Sequence, residues 1–175
     1  MATTRWADVV QALVTRMRAT AGYRSPWSTI DGTSTAVFHS IEAALMNDLG
    51  ISRYLIVGWA GDPDSLGEGG SNGQRIATLG TNRARDEAGS IPCMAVSQTG
   101  TGYEMTDAAV PAVLSDALAI VADVENALRV PADGPTLGIS APRMLAQIGE
   151  MRFFPVLNQG VTWRVEFSVV YDTRI

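Results

Sequence analysis

The sequence predicts an α+β domain, a largely antiparallel sheet with helices packed on one face. Three observations lead there. Apolar residues recur with helical spacing in the first twenty residues and again after residue 106. Short apolar, strand-forming runs lie between them, and the chain closes on two strand-like segments in succession. At 175 residues the chain is most simply one domain, residues 1–175, long enough to bury about 70% of the surface its unfolded form exposes.

Taken in order, Trp6, Val9, Val10, Leu13, Val14 and Met17 form the stripe of an amphipathic helix running roughly from Thr4 to Ala19. A short strand is expected over Trp27–Asp31, among the turn residues of "GYRSPWSTIDGTS". In "TAVFHSIEAALMNDLG" the positions of Phe38, Ile41, Leu45 and Leu49 predict a second helix, with Gly50 as its stop. "RYLIVGWA" is continuously apolar and reads as a central strand covered on both faces.

"VGWAGDPDSLGEGGSNGQR", Val57 to Arg75, reads as a long acidic loop with five glycines between Gly61 and Gly73. Its length and scarcity of apolar side chains predict mobility in the isolated subunit. "QRIATLG" predicts a short strand, and "SIPCMAVSQTG" a better one bounded by Gly89 and Gly100, with Pro92 confined to an edge or a strand start. "TDAAVPAVLSDALAIVADVENALR" is the strongest helix. Val110, Val113, Leu114, Ala117, Leu118, Val121, Val124 and Leu128 form its expected buried stripe, and Pro111 belongs in the first turn. "VPADGPTLG" ends it. "PRMLAQIGEMRFFPV", interrupted by Gly149 and Pro155, and "VTWRVEFSVVY" close the chain. In the latter Val161, Trp163, Val165, Phe167 and Val169 face one way, and Thr162, Arg164, Glu166 and Ser168 the other, as in a half-buried antiparallel strand.

The chemistry such a chain can support is narrow. One cysteine, Cys93, and one histidine, His39, give neither a disulfide nor a zinc ligand set. Cys93 lies in an apolar run, where a buried thiol is expected rather than a nucleophile. His39 beside Ser40 is not a triad, because geometry and an orienting group are needed. The glycine loop has no lysine, and Asp62, Asp64 and Glu68 would repel a phosphate; these acids also lack the ligand spacing of a calcium loop. No catalytic residue, metal or cofactor is expected. "NRARDEAG", with Arg83, Arg85, Asp86 and Glu87, reads either as a solvated turn or as a polar patch that meets another subunit. Trp27 and Trp163 are expected in packing or interface roles.

All 13 basic residues are arginine, and the net charge of −5 argues against a nucleic-acid grip. No run approaches the roughly 20 apolar residues needed to span a bilayer, and the N-terminus lacks the apolar core of a signal peptide. A protein made in the cytoplasm is expected, without a membrane role.

The arrangement of the chain resembles the tail terminator, or tail completion, proteins of long-tailed bacteriophages. The likeness is carried by a leading helix, "STIDG", a helix ending before "RYLIVGWAGD", the cluster "RARDE" before "SIPCMAVS", a long helix, and the closing "GVTWRVEFSVVYDTRI". It implies a non-enzymatic virion protein at the head-proximal end of the tail. There it would form a homohexameric ring that stops tube polymerisation and meets the head connector. Its partners would be its own copies, the tail tube protein and connector proteins, with DNA passing through the lumen unbound; acidic character suits that passage. On this reading Asp62, Asp64, Glu68, Arg75, Arg83, Arg85, Asp86, Glu87, Arg164 and Glu166 are the candidate assembly contacts. A head-completion adaptor of the same particle and a small-molecule-binding or enzymatic domain are the alternatives.

Overall fold

The computed structural model describes residues 5–28, 34–39, 51–59, 70–76, 85–99, 109–129, 132–140, 144–157 and 160–174, with backbone alone at 70–76, 85, 156 and 157. Two α-helices and seven strands make up the described chain. They are α1 (Trp6–Ala19), β1 (Tyr23–Arg24), β2 (Thr35–His39), β3 (Arg53–Val57), β4 (Gly70–Ile76), β5 (Arg85–Gln98), α2 (Ala109–Arg129), β6 (Met144–Leu157) and β7 (Val161–Arg174). Six strands lie in the order β1-β2-β3-β5-β7-β6, and β4 pairs with β5 on the length of edge that β3 leaves open. β1, β2 and β3 are parallel; every other pairing is antiparallel. The expected class, a mostly antiparallel α+β domain, is the one observed.

Both helices cover the same face. Val9, Val10, Leu13, Val14 and Met17 of α1, and Ala117, Ile120, Val121, Val124 and Leu128 of α2, share one buried core with Val37, Leu55, Val57, Cys93, Ala95, Val165 and Phe167 of the sheet. The opposite face carries a second buried cluster of Ala36, Phe38, Ile51, Ile56, Met94 and Val96, with no residue from either helix. β3 is therefore apolar on both faces, as its uninterrupted sequence requires.

Several expectations need correction. Thr35–His39, read as the start of a second helix, is strand β2, with Thr35 to Phe38 all buried. A strand buried on both faces shows no alternation, so its apolar residues imitate helical spacing by accident; residues 40–50, the rest of that segment, lie outside the described residues. Of the short strand expected at Trp27–Asp31, only Trp27 and Ser28 are among the described residues and they are not strand; a two-residue strand lies just before them at Tyr23–Arg24, and residues 29–31 lie outside the described residues. Trp27 and Ser28 belong to a turn closed by the Ser28 amide on the Ser25 carbonyl at 3.2 Å. Gly70–Arg75, read as the end of the glycine loop, belongs to β4; residues 60–69, where mobility was expected, lie outside the described residues. Leu118, placed in the buried stripe of α2, is 37% exposed, and the core-facing residue of that turn is Ile120.

β5 begins four residues before Gly89 and runs through both Gly89 and Pro92. Neither interrupts it, for separate reasons. A Cβ at Gly89 would collide with the ring of Tyr171, its partner across β5 and β7, so glycine is what lets that ring lie flat over the strand. In an antiparallel strand the N–H and C=O of one residue point to the same edge. The Pro92 carbonyl accepts the Gly58 amide at 2.8 Å, so its missing N–H faces the gap where β3 has ended and β4 has not begun. In β6, Gly149 stands in a bulge between Ile148 and Met151, where a Cβ would strike Ser168 Oγ.

Candidate assembly surface

The charged residues singled out in the sequence fall into different environments. Asp62, Asp64, Glu68 and Arg83 lie outside the described residues. Arg75 and Arg85 are in paired strands, opposite Asp86 and Ile76 respectively. The segment from Arg85 to Gly89 is strand, not a solvated turn.

Glu87 is not a surface contact. It is fully buried, because counting back by twos from Ala95 and Cys93 puts Glu87 on the helix-covered face of β5. There its carboxylate accepts the Arg5 amide with both oxygens, at 3.1 and 2.9 Å, and the Tyr171 hydroxyl at 2.7 Å. Arg5 is the N-cap of α1, and no side chain caps the helix locally. Glu87 takes that role from a distance of 82 residues, placing a negative charge at the positive end of the helix. Trp6 Nε1 donates to the Ser90 carbonyl at 3.1 Å and fixes the same end. Asp86, on the other face, is half-buried and paired with Arg174 directly across the ladder at 3.0 Å.

Arg164 and Glu166 sit two apart on the face opposite the helices. β7 is an interior strand with β5 on one side and β6 on the other, so the half-buried closing strand expected from its alternation is buried on both faces from Val165 to Val169. Glu166 is fully buried and paired with Arg164 at 3.0 Å; among the described residues it has no other partner, and neither of its oxygens accepts a well-formed hydrogen bond. The Arg164 guanidinium lies 4.8 Å from the centre of the Phe154 ring. Glu166 is thus internal, and only Arg164 reaches solvent, at 30% side-chain exposure.

The sheet's own margin was missed in the sequence. Hydrogen bonds from the Gln98 amide to Ser52 and from the Thr99 amide to Val161 fix which residues of β5 face each neighbour. The same parity carried across β7 directs the backbone groups of Ala146, Ile148, Met151, Phe153 and Pro155 outward, along the free edge of β6. The Ala146 amide donates to the Pro135 carbonyl at 2.9 Å, the bulge follows, and Pro155 has no N–H to offer. An edge so blunted resists addition of another strand.

Side chains are another matter. On the helix-covered face Met144 and Ala146 are buried with Leu137, but Met151 is 44% and Phe153 49% exposed. Six strands at about 4.8 Å spacing make a sheet about 29 Å wide, whereas two helices about 10 Å across cover about 20 Å. α1 packs mainly on β1 and β2, and α2 on β5 and β7 and only lightly on β6, so among the described elements neither helix covers the far half of β6. Met151 and Phe153 form an apolar shelf beside α2, and Trp163, which donates to the Val110 carbonyl at 3.1 Å, walls its inner side. The signal was present as the alternation of Glu150, Met151, Arg152 and Phe153, but its exposure depends on how many helices the sheet carries.

The residues considered for chemistry are quiet. Cys93 is completely buried, and burial pushes its thiol up to about 12 despite the Gly58 amide close by. His39 ends β2 instead of riding a helix. Tyr23 donates to Asp123 at 2.7 Å, and its hydroxyl titrates far above its ordinary value, first through burial and then through that carboxylate. A groove of about 480 Å³ lies between α1 and the turn at 132–138, but its two charged groups, Arg16 and Asp133, are engaged with each other at 2.8 Å. The Arg16 hydrogen bond holds the Asp133 carboxyl below its usual value. Among the described residues no three metal-ligating side chains cluster, and no helix is long and apolar enough to cross a membrane.

No protein-family model matches the chain, and no curated protein matches it.

Proposed function

We propose that the protein is a structural subunit of a long-tailed bacteriophage, one that forms a ring on the head-proximal end of the tail tube. The ring ends tube polymerisation and offers a surface to the head connector. The observation that carries this reading is the apolar shelf of Met151 and Phe153 beside an edge that cannot readily accept a strand. Such a margin favours side-on packing of folded subunits in a fixed geometry over open-ended sheet extension. The order of elements supports it as well. "RARDE", "SIPCMAVS" and "GVTWRVEFSVVYDTRI", which carry much of the resemblance to tail terminators, contribute β5 and β7, paired from Asp86 to Gln98 at the centre of the sheet.

In this role the work is geometric, and no side chain is asked to react. The reading is tested by adding purified protein to tail tube protein as it polymerises. Elongation should stop, with the protein found at one end of each tube. Tubes that grow to the same length with and without it, and carry none of it, would overturn the reading.

A further inference from the structure

The shelf on β6 has the width of one helix, and its floor is apolar. Met151 and Phe153 face outward there, while Glu150 and Arg152, paired at 3.0 Å, project from the opposite face of the strand. Whatever fills the shelf must therefore bring an uncharged surface, since a charged one would be stripped of water without a partner.

Such a surface exists on the same chain. Along the solvent side of α2, Pro111, Ser115, Leu118, Ala122 and Asn126 follow at helical spacing, all exposed and none charged, until the last turn, where exposed Arg129 pairs with Glu125 at 2.9 Å. An exposed helix ordinarily carries charge on that side; α1, with Asp8, Gln11 and Thr15 exposed, has a polar one. We infer that the shelf of Met151 and Phe153 receives the outer face of α2 from a second copy of this chain, head to tail. This rests on the ring reading above and names the surfaces that would close the ring.

The areas favour a ring over a pair. α2, at 21 residues, is about 32 Å long at 1.5 Å per residue, so its contact strip, about 10 Å wide, amounts to about 320 Å². That is well below the ~800 Å² per partner of a stable isolated complex. Shelf and helix face are different patches, so each copy makes the contact twice, once with each neighbour, and closure adds what a single contact lacks.

The test compares the full chain with Phe153→Arg, which charges the shelf, and Leu118→Arg, which charges the helix face, by native mass spectrometry and light scattering. Thermal melts verify that both exposed substitutions leave the fold intact. The wild type should form assemblies larger than a dimer at high concentration, and each variant alone should associate at least tenfold more weakly. A mixture of the two should give no assembly larger than a weak pair, because one intact shelf meets one intact helix and no ring can close. Variants that assemble like the wild type, a wild type that stops at a dimer, or a wild type monomeric at every soluble concentration would overturn the inference. If the variants assemble normally and still stop tube growth, the ring reading stands and only the shelf is wrong.

Discussion

Removing the Glu87 carboxylate should be among the most damaging single changes to the fold. In Glu87→Ala the Arg5 amide loses its acceptor, and so does the Tyr171 hydroxyl, which now reaches it at 2.7 Å. A hydrogen bond to a charged group contributes about 1.5–3 kcal/mol, and the charge at the start of α1 adds about 0.3–1 kcal/mol. Against these stands the relief of no longer burying a carboxylate, several kcal/mol before compensation. A net loss of about 3 kcal/mol is expected. Tyr171→Phe, which leaves the ring over Gly89, should cost about half as much, roughly the net value of one hydrogen bond to a charged group. Because the two groups share that bond, the double substitution should cost less than the sum by about 1 kcal/mol. Urea unfolding of the four proteins, followed by circular dichroism, measures all three values. Stability of Glu87→Ala within 0.5 kcal/mol of the wild type, roughly the scatter expected of ordinary surface changes, would refute the claim that this carboxylate anchors α1.

Other consequences follow from single positions. Gly89→Ala should displace the Tyr171 ring and cost about 1–3 kcal/mol, as overpacking does, read in the same unfolding assay; a neutral result would mean the ring is free to move. Pro155→Val restores an outward N–H on the edge of β6, so it should raise the rate of aggregation measured by light scattering while leaving the melting temperature nearly unchanged. The Cys93 thiol is held neutral to about pH 12 in the fold but ionises near 9 when unfolded, so its contribution to stability is complete below pH 9 and is lost as pH rises from there toward 12. Cys93→Ala should flatten that alkaline slope, and wild-type Cys93 should react with thiol reagents only as fast as the protein opens. For Asp133 the sign is opposite. Its carboxyl is lowered by Arg16, so that small stabilisation is present above its usual value of 3.8 and is lost as pH falls below it, and Asp133→Asn should remove that part of the acid transition.

Where the sequence was legible, one physical rule governed the segment. α1 and most of α2 follow from helical spacing because each buries a single stripe against one sheet. β3 follows from its unbroken apolar run, and β6 and β7 from alternation joined by a short connection. β2 was misread because "TAVF" is buried on both faces, which erases the period that separates strand from helix. By their usual meaning Gly89 bounds a strand and Pro92 stands at an edge or a strand start. Their tolerance inside β5 depends on Tyr171, 82 positions from Gly89, and on a break between β3 and β4. Of the candidate contacts, Glu87 was within reach, since its parity with Cys93 and Ala95 already puts it on the inner face. Glu166 was not, because a polar alternation reads as solvent-facing unless the second face of the sheet is known to be covered. The shelf of Met151 and Phe153 is a property of the whole layer, fixed by how far the described helices reach across the sheet rather than by any local pattern.

The proposed role comes down to the length of a tail. Electron micrographs of particles assembled without this protein should show tubes that vary in length and run well beyond those of the wild type, unattached to heads. Tails of normal, uniform length joined to heads in its absence would contradict the account.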